Sequence, residues 1–303
     1  MKQVIALLTL TLVVACSETD DVANDRPETA VRSGVAIVEG TELYYEELGE
    51  GHPVVLIHGG GLDRRMWDAQ LEPFAEHYRV IRYDVRKHGR TKGTSSEYTD
   101  HGELHGLLEH LGVEKAVIVG HSMGGRIAVD FALKYPDMTA GLVLDGPGIG
   151  GVIPDTDLIR RYLSELSEAL EQGDLERSAE VMLRYLTDGP QRTPEQVDST
   201  IREQVRTMYL SNLGQDADSG QAYMLSPPAI GRLSEVSVPT LVIEGDLDMP
   251  EIIDLVDVVT REIPDARRVT ITGAAHMVNM EKVEEFNQVV LDFLARLKLD
   301  ESR

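Results

Sequence analysis

Short apolar runs recur along the chain from residue 54 onward: Val54-Val55-Leu56-Ile57, Val80-Ile81, Val117-Ile118-Val119, Leu142-Val143-Leu144, Leu241-Val242-Ile243 and Val269-Thr270-Ile271. Each run that is long enough to judge is continuous rather than alternating, as in strands buried on both faces of a parallel sheet. Ahead of them, residues 35–38 and 42–47 flank Glu39-Gly40-Thr41 and predict an antiparallel hairpin. Between the runs the apolar period lengthens to that of a helix. Leu104, Leu107, Leu108 and Leu111 make one stripe, and Ile127, Phe131 and Leu133 a second. Val283, Phe286, Val290, Phe293, Leu294 and Leu297 make the stripe that closes the chain. Strands alternating with helices predict an α/β fold built on a doubly wound, mostly parallel sheet, over residues 34–147 and 238–303.

The alternation stops between residues 148 and 237, where helical patterns follow one another without a strand. One begins near Asp155, carries Leu158, Tyr162, Leu166 and Leu170, and ends at Gly173; the next runs from Asp174 to Gly189-Pro190. A third opens on Thr193-Pro194-Glu195-Gln196, a capping box with proline at the first helical position, and continues through Val197, Ile201, Val205 and Met208. An all-helical insertion of this kind is expected to cap the carboxyl ends of the strands, where such sheets bind ligands. Met182, Met208 and Met224, with Tyr162, Tyr185, Tyr209 and Tyr223, are candidates for its underside.

The first fifteen residues add a different signal. Lys2 precedes an apolar stretch from Val4 to Ala15, too short for the roughly 20 residues of a membrane span but fitting a signal peptide. Val13-Val14-Ala15-Cys16 resembles a bacterial lipoprotein signal. That resemblance implies that Cys16 becomes the lipidated first residue of an exported protein. With Ser17 after it, the implied destination is the outer membrane facing the periplasm. Residues 16–33 are polar, acidic and without period, and read as a disordered tether. Cys16 is the chain's single cysteine, so no internal disulfide or Cys-rich zinc site is expected.

Charge narrows the partners. Lysine and arginine number 29 against 52 acidic residues, a net charge of −23. Nucleic-acid binding needs phosphates to be neutralised by Lys and Arg, and docking on anionic lipid needs a basic patch, so neither is expected; membrane contact is expected only through the anchor.

The candidate chemistry centres on Gly120-His121-Ser122-Met123-Gly124-Gly125, directly after the run 117–119 and directly before a helical stripe. A serine on a sharp strand-to-helix turn crowds the residues two positions away, and Gly120 and Gly124 remove the side chains there. The hydroxyl needs a base, itself oriented by a third group. Of nine histidines, His276 alone follows a late strand, within Gly273-Ala274-Ala275-His276. For the carboxylate, Asp248 in Glu244-Gly245-Asp246-Leu247-Asp248 is the first choice, Asp246 the second and Asp145 the third. His58-Gly59-Gly60-Gly61 ends the run 54–57 and offers amides for an oxyanion hole, Gly60 with Met123. His58 itself reads as a structural hydrogen-bonder, and Trp67 as packing near that loop. No G-x-G-x-x-G opens the sheet, so no dinucleotide cofactor is expected. His101 and His105 sit one helical turn apart without a third metal ligand. They read as a half-exposed helix face, and no metal is expected.

Taken in order, HGGG, GHSMGG, GDLD and GAAH resemble the α/β-hydrolase fold superfamily, with nucleophile, acid and base in the order Ser, Asp, His. Residues 84–91 resemble the loop those proteins carry after the next strand, with Lys87 in place of the usual glycine. The resemblance implies Ser122 as nucleophile, His276 as base, Asp248 as orienting acid, and Gly60 and Met123 as oxyanion donors. It implies a cofactor-free serine hydrolase acting on a small, apolar carboxylic ester or lactone. Serine disfavours the dehalogenase and epoxide-hydrolase members, which use aspartate, and Met123 stands where peptide-releasing relatives tend to carry tryptophan. Two other readings compete. The HGGG loop resembles that of C–C bond hydrolases, although Leu62-Asp63 replaces their Pro-Gly, and the same triad could also make peracids as a perhydrolase. A tethered, non-enzymatic sensor of a small apolar ligand is the third reading, disfavoured by an intact triad.

Overall fold

The computed structural model describes residues 30–93, 97–153, 155–215, 220–297 and 299. The expected signal peptide, Cys16 and most of the tether lie outside the described residues.

Eight strands form one sheet: β1 (Arg32–Val38), β2 (Thr41–Leu48), β3 (Pro53–Ile57), β4 (Arg79–Tyr83), β5 (Ala116–His121), β6 (Thr139–Asp145), β7 (Thr240–Gly245) and β8 (Ala266–Ile271). Their spatial order is β1-β2-β4-β3-β5-β6-β7-β8. The hairpin β1–β2 is antiparallel, as is its joint to β4, and every later pairing is parallel. The helices are α1 (Asp68–Ala75), α2 (Asp100–His110), α3 (Met123–Lys134), α4 (Asp157–Glu171), α5 (Leu175–Leu183), α6 (Ser199–Asn212), α7 (Pro250–Glu262), α8 (Val278–Glu281) and α9 (Val283–Leu294).

The apolar runs are continuous because helices cover both faces of the sheet. Val55, Ile57, Ile118, Leu142, Leu144 and Val242 pack with α2, α3 and α7 through Leu104, Leu107, Ile127, Phe131 and Val259. The alternate residues Val54, Leu56, Val117, Val119, Val143 and Ile243 pack with α1 and α9 through Phe74, Phe286, Val290 and Leu294. Strand order reverses between β3 and β5, the switch point at which the carboxyl ends of an open α/β sheet leave a crevice. The fold is therefore a doubly wound, mostly parallel α/β sheet with flanking helices.

The inserted segment departs from its sequence reading in two places. Helices occupy 157–212, but the described residues from 220 to 237 hold only two 3₁₀ turns, Ala229–Gly231 and Leu233–Glu235, rather than a further helix. The capping box is present, with Thr193 N donating to Gln196 Oε1, yet it closes a single turn, Pro194–Gln196. Val197 is extended (φ −110°, ψ 145°), and α6 starts afresh from Asp198, whose carboxylate accepts the Thr200 N–H. Local capping chemistry marks a helix start without fixing its length. The four residues from α4 to α6 that touch the catalytic loops are described below. Tyr223 and Met224, by contrast, are 44% and 60% exposed rather than turned inward. Trp67 is fully buried against Phe286, and His105 stacks on Tyr135.

Candidate active site

The switch point brings two sequence motifs together. Ser122 follows β5 and caps α3 with φ 51° and ψ −110°, a backbone conformation rarely held by a residue with a side chain. The surrounding structure fixes it. Ser122 N–H donates to the Asp145 carbonyl (3.0 Å), and Gly148 N–H donates to the Ser122 carbonyl (2.8 Å). Two glycines make the turn sterically feasible. A Cβ on Gly120 would stand 2.2 Å from the Gly124 oxygen, and one on Gly124 would stand 2.2 Å from the Ile57 oxygen. Backbone lies on both sides, so neither contact can be relieved by a rotamer change.

The β3 loop lies beside this turn, with Gly60 against Met123 at 3.8–3.9 Å of a notional Cβ. Its polar groups are nearly all committed. Gly59 N–H points at Met66 Sδ, and the Gly59 carbonyl accepts from His58 Nδ1 (2.8 Å). Gly61 N–H donates to His88 Nε2 (3.2 Å), while the Gly61 and Leu62 carbonyls accept from Asn212 Nδ2 at 3.2 and 3.0 Å. Among the described residues Gly60 N–H has no protein acceptor. The amide left over is thus the one nearest Met123, whose own N–H opens the first turn of α3. His58 is structural as expected: burial, then the neighbouring His88, pulls it down to about 3, and its Nε2 accepts the Val85 N–H (2.9 Å). Lys87 adopts φ 74°, so the loop after β4 keeps a glycine-like shape with lysine in it.

The three candidate aspartates separate cleanly. Asp248 Oδ2 lies 2.8 Å from His276 Nδ1, and its Oδ1 accepts the Met249 N–H (2.6 Å). Asp246 is exposed and accepts from Gly273 N–H instead. Asp145 is bound to His121, Oδ2 to Nδ1 at 2.9 Å. Both Asp248 and His276 are almost fully buried. Burial disfavours the imidazolium of His276, but the Asp248 charge and hydrogen bond outweigh it, so its pKa is raised above 6.5. Gly146 leaves room for the ring, since a Cβ there would stand 3.0 Å from His276 Cε1 and Nδ1.

The inserted helices supply the roof. Arg184–Asp188 form a π-helical turn after α5 that carries Tyr185 to a ring distance of 6.5 Å from His276. Burial, then the charges of Asp248 and Glu251, push the Tyr185 hydroxyl up to about 12, so it stays neutral. Tyr162 packs edge-on against Tyr185 at 5.8 Å. Met182 and Tyr209 approach Gly61 to 3.9 and 3.4 Å of a notional Cβ. Sequence reading missed Asn212 and the His121–Asp145 pair, because no local pattern links residues that meet only through the fold.

Comparison with known proteins agrees with this architecture. The Alpha/beta hydrolase family model matches residues 54–289. The chain is 31% identical over 283 residues to a 2-hydroxy-6-oxononadienedioate/2-hydroxy-6-oxononatrienedioate hydrolase of Burkholderia vietnamiensis, covering 89% of this chain and 97% of that protein. A thermophilic esterase from Thermogutta terrifontis superposes with TM-score 0.69 at 30% identity, over 88% of this chain and 98% of that one. The enol-lactonase of Burkholderia xenovorans LB400 superposes with TM-score 0.69 at 25% identity, over 86% and 100%. With its sheet order, its strained serine turn and this breadth of match, the chain belongs to the alpha/beta hydrolase family.

Proposed function

We propose that this hydrolase cleaves a small, uncharged carboxylic ester or lactone through Ser122, His276 and Asp248. The observation that carries the reading is the buried 2.8 Å Asp248–His276 hydrogen bond at the same end of the sheet as the strained Ser122 turn. Asp248 holds the imidazole with Nδ1 protonated, leaving Nε2 as the base. Ser122 Oγ attacks the carbonyl carbon while His276 Nε2 takes its proton. The carbonyl oxygen becomes an oxyanion held by the Gly60 and Met123 amides. The tetrahedral adduct collapses, the C–O bond to the alcohol breaks, and His276 returns the proton to the leaving oxygen. Water, deprotonated by His276, then attacks the acyl-enzyme and releases the acid, with the proton going back to Ser122.

The roof supports an uncharged substrate. Arg184, Arg192 and Arg202 are each bound to a carboxylate, of Glu165, Glu281 and Asp188 respectively, and Arg126 on α3 to Asp100. What faces the catalytic loops is Tyr162, Tyr185, Met182 and Tyr209, beside the negative charge of Asp248. The second reading, C–C bond hydrolysis, is favoured by the 31% identical relative, whose name specifies a dioate substrate. Such a substrate carries carboxylates that call for a free cation. Parallel assay of p-nitrophenyl esters, lactones and a 2-hydroxy-6-oxo-dienoate on one preparation decides between them. Faster turnover of the dienoate would overturn the ester reading. Ser122→Ala should abolish both turnover and fluorophosphonate labelling while the protein stays folded; retained turnover would remove the serine from the mechanism.

We further propose export as an outer-membrane lipoprotein through Cys16. Cys16→Ser should abolish incorporation of labelled palmitate and release the protein from the membrane fraction; unchanged labelling would dismiss the anchor.

A further inference from the structure

Directly beneath the base lies a second carboxylate–imidazole pair that the mechanism above does not use. His121 is the last residue of β5 and Asp145 the last of β6, paired side by side in the parallel register. Both are wholly buried, and His121 Nδ1 donates to Asp145 Oδ2 at 2.9 Å. The His121 ring lies 4.6 Å from the His276 ring, tilted by 55°. It also fills the space under the oxyanion loop, where a Cβ on Gly59 would stand 2.7 Å from His121 Cδ2. Among the described residues His121 Nε2 and Asp145 Oδ1 have no hydrogen-bond partner.

We propose that Asp145, held in place by His121, is a positioning residue for His276: the pair braces the imidazole from below and favours the imidazolium that forms when the serine proton is taken. The proposal rests on the hydrolase reading. A buried carboxylate with a single neutral donor is an expensive way to fill space, and two apolar side chains would pack the same volume without the desolvation cost. Such a group is expected where its charge has a task. The groups facing His276 leave little else to act on it. Asp248 approaches from the loop after β7, His121 and Asp145 from β5 and β6, and the neutral Tyr185 hydroxyl from the roof with Glu251 nearby. Glu281, near the adjacent Ala275 amide, is already engaged by Arg192. His121 itself stays neutral, because burial depresses it more than Asp145 raises it. In its Nδ1–H tautomer it holds the Asp145 carboxylate near His276 without adding a positive charge that would oppose protonation.

Asp145→Asn keeps the shape and the acceptor for His121 while deleting the charge. The acidic limb of kcat/KM against pH should then move down by about one to two pH units, the size expected of one nearby buried charge at an effective dielectric of about 20. At the plateau kcat should fall roughly tenfold with KM unchanged. A purely structural role would leave the limb in place, and a folded variant with an unmoved limb overturns the proposal. Two readouts do not depend on the substrate. The pH dependence of Ser122 phosphonylation by a fluorophosphonate should shift by the same amount; absence of any labelling in the wild type would count against the hydrolase reading alone. In the unmodified protein, imidazole nitrogen NMR should show His121 neutral and Nδ1-protonated through the pH interval in which His276 titrates, above 6.5. A titrating His121 would overturn the proposal even if Asp145→Asn fails to fold.

Discussion

Replacing Asn212 by alanine removes a side chain that hydrogen-bonds the inserted helices to the oxyanion loop. Asn212 ends α6, is 8% exposed, and makes three hydrogen bonds: to the carbonyls of Gly61 and Leu62, and from the Gly89 N–H at 2.8 Å. At about 0.5–1.5 kcal/mol each, these sum to about 3 kcal/mol. Water entering the vacated space recovers part of that, and alanine is the better helix former by about 0.5 kcal/mol. A net loss of about 2 kcal/mol follows, seen as a fall in Tm of roughly 4–8 °C in a domain of this size. The catalytic effect is separate. Freed carbonyls let the Gly60 amide drift from its place beside Met123. Removing an oxyanion donor outright costs about 10²–10³ in kcat, so misplacing one should cost about tenfold, with KM little changed. Thermal melts and ester kinetics on the same preparation test both numbers. If Tm falls while kcat stays within about twofold of wild type, the asparagine holds the roof without holding the oxyanion loop, and the argument fails.

Four further outcomes are expected. Gly124→Ala should cost more than about 3 kcal/mol or prevent folding, because its Cβ would stand 2.2 Å from the Ile57 carbonyl oxygen; circular dichroism melts would show it, and a near-native Tm would contradict the geometry. The kcat/KM of the wild type should rise along an acidic limb centred above pH 6.5, since neutral His276 is the base and its pKa is raised. Asp248→Asn should lower that limb and cut kcat by about 10⁴, and a limb unchanged by the substitution would dismiss Asp248 as the partner. Linkage gives the stability counterpart. A raised histidine pKa stabilises the fold fully below 6.5, and that increment is lost as pH rises through the folded value, so wild type should lose stability relative to Asp248→Asn across this interval in urea titrations.

What could be read from sequence was set by local sterics. The glycines at 120 and 124 are demanded by backbone standing where a Cβ would be, Gly59 by the His121 ring, and Gly61 and Gly273 by their positive φ, requirements that act within short stretches of chain. The sheet was legible for a similar reason, as strands covered on both sides leave unbroken apolar runs. The three aspartates could only be ranked, Asp248 first. Asp145, Asp246 and Asp248 all stand near strand ends, and only the closure of the β7 and β8 loops, where a Cβ on Gly245 would stand 2.2 Å from the Ala274 oxygen, turns Asp248 to His276 and Asp246 outward to Gly273. Asn212 lies 150 residues from the carbonyl it serves, beyond the reach of any periodicity. The length of α6 escaped because the Thr193 box and the Asp198 cap are both sound helix starts, and an extended Val197 between them cannot be read from its side chain.

The hairpin at the edge of the sheet fixes how this body is held by the rest of its chain. Because β1 is antiparallel to β2 and β2 to β4, β1 runs in the same sense as the parallel strands, and Arg32 enters at their amino ends. Ser122, Asp248 and His276 all follow carboxyl ends. Whatever precedes Arg32 therefore joins the protein at its back. A molecule fastened to a surface by its first residues would be free to turn its catalytic loops outward, toward the solvent that carries substrate.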